Sequence, residues 1–336
     1  MALFVPGSLR GRIAKPFIAA RLFPGATLNL DDDGLTALEA AMATVLGKEQ
    51  VRLAFFVLDR RLYRRVTALI MAPDGRTLAY AKLAHHDAEQ HALIQEGNAL
   101  AQLAAAPVLE GHVPSVLGST TLETCRILLI SPGPTGRGPN RLQRVHGEFL
   151  RNLQDIADSF GPFENSAAWH RMTTLAESLE GAIGESWSQR YKRAFDRLHA
   201  GLGPVALPLA FGHRDFCHWN TRMGKRGLFV FDWEAAVPAV TPLHDAFHFG
   251  AIPAVGAGRR YVPDRAIIRH ILKRLWPAGL PYLALLYLAY LIDMSLFRAE
   301  DFVRAPSIVD TRILEWYGRA IDAWLEDEHA FVADEP

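Results

Sequence analysis

Cysteine is almost missing from this chain: Cys125 and Cys217 are the only two among 336 residues. That scarcity excludes a disulfide-stapled scaffold and fits a reducing compartment, and neither cysteine belongs to a metal-ligand spacing. An excess of either charge is missing too. Lys+Arg and Asp+Glu both total 36, so the balance points to neither nucleic acid nor an anionic membrane as the main partner, and a small molecule is expected instead. The most apolar segment, Leu280 to Ile292, ends at Asp293, well short of the roughly 20 residues that span a bilayer, so a buried helix is expected there. A secretory signal is not expected, because the stretch after Arg10, Arg12 and Lys15 is broken by Pro16, Arg21 and Pro24. No G-x-S-x-G elbow of a serine hydrolase occurs, and neither His85, His86 and His91 nor His213 with His218 is completed to a zinc set by a further ligand at suitable spacing. A cytoplasmic globular protein is left, long enough for one large domain or two lobes.

What the chain does have is concentrated in residues 211–234, F-G-H-R-D-F-C-H-W-N-T-R-M-G-K-R-G-L-F-V-F-D-W-E. His213, Asp215 and Asn220 keep the spacing H-x-D-x-x-x-x-N, and the apolar run Leu228 to Phe231 then delivers Asp232, Trp233 and Glu234. Asp215, Asp232 and the Asn220 amide are thereby gathered. Phosphoryl transfer from a nucleotide needs such groups, because its transition state depends on metal-held phosphates and an oriented hydroxyl more than on a covalent nucleophile. In that chemistry Asp215 orients the hydroxyl, while Asn220 and Asp232 hold Mg²⁺ through hard oxygen ligands.

At these residues the sequence resembles the aminoglycoside phosphotransferase and choline kinase family of the protein-kinase-like fold, where H-x-D-x-x-x-x-N is followed by D-W-E or D-F-E. Eukaryotic protein kinases are more distant, since their D-F-G opens a long activation segment, whereas F-D-W-E here runs within a few residues into Pro238 and Pro242. The resemblance implies a bilobal α+β fold, with a small antiparallel-sheet N-lobe carrying one main helix and a larger, mostly helical C-lobe. It implies ATP and Mg²⁺ as cofactors and a hydroxyl of a small molecule (aminoglycoside, amino alcohol or sugar-like) as acceptor. It also implies that His213 holds the catalytic loop by hydrogen bonds, that Glu234 supports the site, and that Asp245, in T-P-L-H-D-A-F-H-F-G, anchors the catalytic-loop backbone from a neighbouring helix.

Four segments follow. Residues 1–50, an irregular Pro- and Gly-rich start and then a helix-like run from Leu35 to Leu46 with Asp32 or Asp33 as cap, read as an extension packed on the small lobe. Residues 51–130 read as the nucleotide-binding N-lobe, with strands at Val51 to Leu58, Arg65 to Met71 and Thr77 to Leu83 and a hairpin signal at Asp74-Gly75. Period two puts Tyr80 and Lys82 on one face, and Lys82 stands where the kinase signature V-A-I-K has its phosphate-pairing lysine. In the helix Asp87 to Ala105, Glu96 shares the apolar face of Leu93, Leu100 and Leu103; an acid there needs a partner, and Lys82 is the obvious one, with Glu89 expected to be exposed. Residues 131–139, S-P-G-P-T-G-R-G-P, are either a hinge whose backbone at Ser131 and Gly133 meets the adenine edge or a plain surface linker. Residues 140–336 read as the C-lobe.

Two departures weaken the resemblance. The turn from Asp59 to Arg64 has no glycine, so its backbone cannot approach phosphates as a Gly-rich loop does; Arg60, Arg61, Arg64 and Arg65 either bind phosphate in its stead or form a solvated basic hairpin. Tyr80 replaces the small alanine that the signature sets over adenine. Intact Asp215, Asn220 and Asp232 favour an active small-molecule kinase; the departures favour a kinase-like pseudoenzyme that binds a ligand or partner without turnover. Asp293, Glu300 and Asp301 either favour a cationic acceptor or are ordinary helix-end charges.

Overall fold

The computed structural model describes residues 32–60, 63–157, 159–304 and 308–327, and the side chains of 57–65 and 305–310 lie outside that description. From its first described residue the chain runs α1 (Asp32–Val45), β1 (Arg52–Arg60), β2 (Tyr63–Met71), β3 (Thr77–Ala84), α2 (Asp87–Ala104), β4 (Val116–Leu122), β5 (Cys125–Ile130) and the short β6 (Gly136–Arg137). Then come α3 (Arg144–Ala157), β7 (Phe160–Pro162), α4 (Ala167–Leu179), α5 (Glu185–Leu202), β8 (Ala206–Pro208), β9 (Ala210–Gly212), β10 (Thr221–Gly224) and β11 (Gly227–Val230). The chain continues through β12 (Val237–Val240), α6 (His244–Gly256), α7 (Arg265–Leu275), α8 (Leu283–Arg304) and α9 (Ile308–Glu326). Two compact units result: one runs to Gly138 and includes Trp219–Ala235, and the other comprises Pro139–His218 with Ala236 onward.

The first unit is built on an antiparallel sheet of order β1-β2-β3-β5-β4. Alternation along its strands makes two different faces. Ala68 and Ile70 of β2, Ala79, Ala81 and Leu83 of β3 and Ile127 and Leu129 of β5 form one core with Leu38, Met42 and Ala43 of α1. Burying Leu38 and Met42 removes apolar surface worth roughly 1.5–3 kcal/mol for each side chain, which is why a helix ahead of the sheet stays on it. α1 is already helical at its first described residues, Asp32 and Asp33, and its cap lies outside the described residues. The opposite sheet face carries Leu69 and Met71, covered by Ala54, Phe56 and Tyr80. The β2–β3 turn closes where Gly75 takes φ +83 and Asp74 accepts a hydrogen bond from the Arg76 N–H at 2.9 Å. A second sheet of this unit, order β11-β10-β6, is joined at β6 by the Pro- and Gly-rich segment.

The second unit is helical apart from the paired strands β7-β8 and β9-β12. Its centre is α8, buried almost continuously from Leu286 to Leu296. The apolar run that the sequence ends at Asp293 continues through it as one helix, so Asp293 lies inside the core and not at a helix end. The segment Pro277–Arg304 is long and apolar enough to cross a membrane by composition, but 67% of its apolar window is buried inside the protein, as a core helix would be.

Candidate active site

In the first unit, β3 carries Lys82 on the Tyr80 face and α2 carries Glu96, fully buried beside Leu93, Leu100 and Leu103. The lysine Nζ lies 2.6 Å from Glu96 Oε2 and 2.5 Å from Asp232 Oδ1. Glu96 also accepts the Trp233 backbone N–H at 3.3 Å. The turn after β11 is thus held from both sides, and it needs to be: Asp232 sits at φ +74, a left-handed backbone that costs a non-glycine residue about 1–3 kcal/mol. Trp233, with no exposed surface, donates its indole N–H to the Val230 carbonyl at 3.0 Å and locks the same turn. The Asn220 carbonyl accepts the Phe231 N–H at 3.1 Å, which ties buried Asn220 to the residue before Asp232.

Burial works against the charge on Lys82, but Asp232, then Glu96 and Glu234, outweigh it and raise its pKa, so the ammonium is retained. Burial, followed by crowding from Asp232, pushes the Glu96 carboxyl upward against the pull of Lys82. One oxygen from each of Glu96, Asp232 and Glu234 lies within 4.8 Å of the others. Three carboxylates thus stand beside the Lys82 ammonium. These three carboxylates offer hard oxygens of the kind Mg²⁺ takes, so the residues fit a divalent cation.

In the second unit, Asp215 follows Arg214, whose φ of +62 turns the chain sharply. The buried carboxylate of Asp245 accepts both the His213 N–H (2.8 Å) and the Arg214 N–H (2.9 Å), satisfying two donors of that turn at once. His213 Nδ1 accepts the Asp215 N–H at 3.2 Å. Arg214 Nε lies 3.1 Å from Asp293, which also meets Arg171 at 3.1 Å and His244 Nε2 at 2.9 Å. Burial opposes ionisation of Asp293, but Arg171 and Arg214 hold its pKa well below the usual carboxylate range. The Asp215 pKa is also lowered; burial opposes this, and His248, His213 and Arg298 outweigh burial.

Asp293 and Glu89 depart from their expected places. Asp293 is committed to Arg171, Arg214 and His244, Glu300 pairs with Arg304 at 2.9 Å, and Asp301 faces Arg298 at 3.7 Å, so these acids are already matched by the chain's own cations. Glu89 is half-buried instead of exposed, because its carboxylate accepts the His85 and His86 N–H groups at the start of α2. Ser131 exchanges hydrogen bonds with Ser115, its hydroxyl accepting at 2.9 Å and its N–H donating at 2.8 Å, and Gly133 lies against the Phe229 ring so closely that a Cβ would collide with it. Arg61 and the side chains of Arg60, Arg64 and Arg65 lie outside the described residues. Sequence reasoning passed over His248 and the Arg171–Arg214–Asp293 cluster. Only the first had a local signal, the helical i, i+3 step from Asp245.

The sequence matches the model of the phosphotransferase enzyme family over residues 60–250. No curated protein matches it. Among solved structures, a thermostable mutant of aminoglycoside phosphotransferase APH(4)-Ia superposes with a TM-score of 0.56 at 16% identity, over 86% of this chain and 98% of that one. Choline kinase LicA from Streptococcus pneumoniae gives 0.53 at 11% identity, over 86% and 98% of the two chains. ADP-bound aminoglycoside phosphotransferase APH(2'')-Ib gives 0.52 at 13%, over 90% and 99%. At such identities these likenesses establish the protein-kinase-like fold alone, and the family model, which spans more than half of the sequence, establishes the rest: this chain belongs to the phosphotransferase enzyme family.

Proposed function

We propose that this protein is an ATP-dependent kinase of a small hydroxyl compound. The observation that carries the reading is the Lys82 ammonium set between Glu96 and Asp232. A buried cation held by one fully buried acid and one partly exposed acid is preorganised to receive phosphate oxygens without reorganising when they arrive. In this reading Lys82 takes the nucleotide phosphates, Glu96 holds Lys82, and Ser131 and Gly133 lie beside the base. Asn220 and Asp232 would hold Mg²⁺, with Glu234 in support, and the ion would supply positive charge to the transferring phosphoryl group. Asp215, kept ionised by its neighbours, accepts a hydrogen bond from the acceptor hydroxyl and aims it for in-line attack. His213 and Asp245 keep the loop of Asp215 in place.

A kinase-like binding protein without turnover is the second reading, favoured by Tyr80, which with Phe56 covers Leu69 and Met71 on the sheet face that also bears Lys82. One experiment separates the two. ADP release from Mg·ATP is measured across a panel of aminoglycosides, amino alcohols and polyols, with the Asp215→Asn variant as blank. Release above that blank with any compound supports the kinase. Release equal to the blank throughout, together with nucleotide binding indifferent to Mg²⁺, supports the binding protein.

A further inference from the structure

One buried titratable side chain beside Asp215 does more than help to keep that carboxylate ionised. His248 lies on α6, one turn after Asp245, and is completely buried. Its Nε2 faces Asp215 Oδ1 at 3.5 Å. On its other side Nδ1 lies 3.4 Å from the Tyr290 hydroxyl, and that hydroxyl lies 3.4 Å from the Tyr317 hydroxyl. The same helical turn therefore presents two groups to the catalytic loop: Asp245 takes the backbone N–H groups of His213 and Arg214, and His248 faces the carboxylate itself.

The donors and acceptors in this line can be ordered in one direction. An ionised Asp215 only accepts, so the imidazole must carry its proton on Nε2; Nδ1 then accepts from the Tyr290 hydroxyl, whose oxygen accepts from Tyr317. We propose that His248 is a positioning residue for Asp215, a neutral N–H donor to one carboxylate oxygen that holds the side chain in the orientation from which it meets the acceptor hydroxyl. This inference rests on the kinase reading of Asp215. A contact of 3.5 Å is long for a hydrogen bond, but such contacts at catalytic groups tighten when the substrate complex forms. A neutral donor suits the task better than a cation, which would bind the carboxylate as an ion pair and blunt it as a base. The surroundings keep the ring neutral: burial, first, and then Arg298 and His244 disfavour the imidazolium, against the single carboxylate of Asp215. The remaining polar groups facing it, Tyr290 of α8 and Tyr317 of α9, are hydroxyls whose pKa values burial raises.

The test uses the full chain and two readouts. The first is hydrolysis of Mg·ATP to ADP, with AMP-PNP affinity followed by calorimetry. His248→Phe keeps the ring volume and removes the donor; His248→Gln restores an N–H near the Nε2 position. The phenylalanine variant is expected to lose about 10-fold or more in kcat with AMP-PNP affinity unchanged, and to move the acid limb of its pH profile upward as Asp215 becomes easier to protonate. The glutamine variant should recover most of both. A phenylalanine variant with the parent's kcat and acid limb overturns the inference, as does a glutamine variant no better than it, which would mean that His248 only packs. If Asp215→Asn itself leaves hydrolysis unchanged, the kinase reading fails, and the positioning role fails with it. The second readout needs no activity or variant: ¹⁵N NMR of the histidine rings should show His248 neutral with its proton on Nε2 from about pH 5 to 8, the window in which an ordinary histidine titrates. A proton on Nδ1, or an imidazolium across that window, overturns the assignment.

Discussion

Replacing Lys82 by methionine keeps most of the side-chain volume and removes the cation that attracts Glu96, Asp232 and Glu234. Glu96 is fully buried and would lose its lysine while keeping the Trp233 N–H. Removing one partner of a buried ion pair destabilises by about 3–5 kcal/mol. Lys82 and Asp232 retain side-chain exposures of 17% and 28%, so water relieves part of the penalty and the lower end of that range is expected. Glu96→Gln removes the charge yet keeps an acceptor for the Trp233 N–H, so it should cost less, about 1–1.5 kcal/mol, the net value of a hydrogen bond. In the double variant no buried charge is stranded at Glu96, and the loss should fall short of the sum by roughly 1–3 kcal/mol. The assay is urea unfolding at neutral pH of the parent, both single variants and the double. A pH series checks the cause. Without Lys82, burial and Asp232 both still raise the Glu96 pKa, so Lys82→Met should be least destabilised below the unfolded carboxylate value of about 4.3 and lose stability as pH rises through the raised folded value. Losses that simply add, or a Lys82→Met penalty independent of pH, would refute the argument that Glu96 is held ionised by this lysine.

Further outcomes follow from the other groups. Asp232→Asn removes a ligand charge at constant volume, so calorimetry should find the Mg²⁺ dependence of nucleotide binding abolished and the fold intact; unchanged Mg·ATP affinity would remove Asp232 from the metal set. Asp215→Ala should lower turnover by roughly 10²-fold or more with little change in ATP affinity, because the carboxylate acts mainly in the transition state. Asp293→Asn leaves Arg171 and Arg214 without their shared anion and should destabilise by about 3–5 kcal/mol in thermal or urea unfolding. The parent's contribution from Asp293, whose folded pKa is depressed, is present above the unfolded carboxylate value of about 3.9 and is lost as pH falls through the folded value; the variant should lack that acid-dependent step.

The chemistry-bearing residues were legible because their spacing is local. H-x-D-x-x-x-x-N and D-W-E stand within a single stretch, and period two along β3, the apolar face of α2 and the resemblance to the kinase signature together point to Lys82 as the partner of Glu96. The Asp74-Gly75 turn was readable for the same reason, since only a residue tolerant of positive φ closes it. Asp293 shows where this reasoning stops. In the sequence it is a charge that ends an apolar run, but in the fold it lies within α8, because arginines 79 and 122 positions away supply the opposite charge. Burial of an acid depends on the partner it meets, and a partner from a distant element leaves no periodic trace. The same holds for His248, whose imidazole gains a role only when the turn at Arg214 brings Asp215 to it, and for Asp232, whose left-handed backbone is sustained by Glu96 and Trp233. By itself the sequence determined which groups are present, their order along the chain and the faces they occupy, since these depend on neighbours within a few residues. Only the tertiary structure decided which acids gather around Lys82 and which are neutralised by the chain's own arginines, because desolvation and charge pairing are set by distance in space.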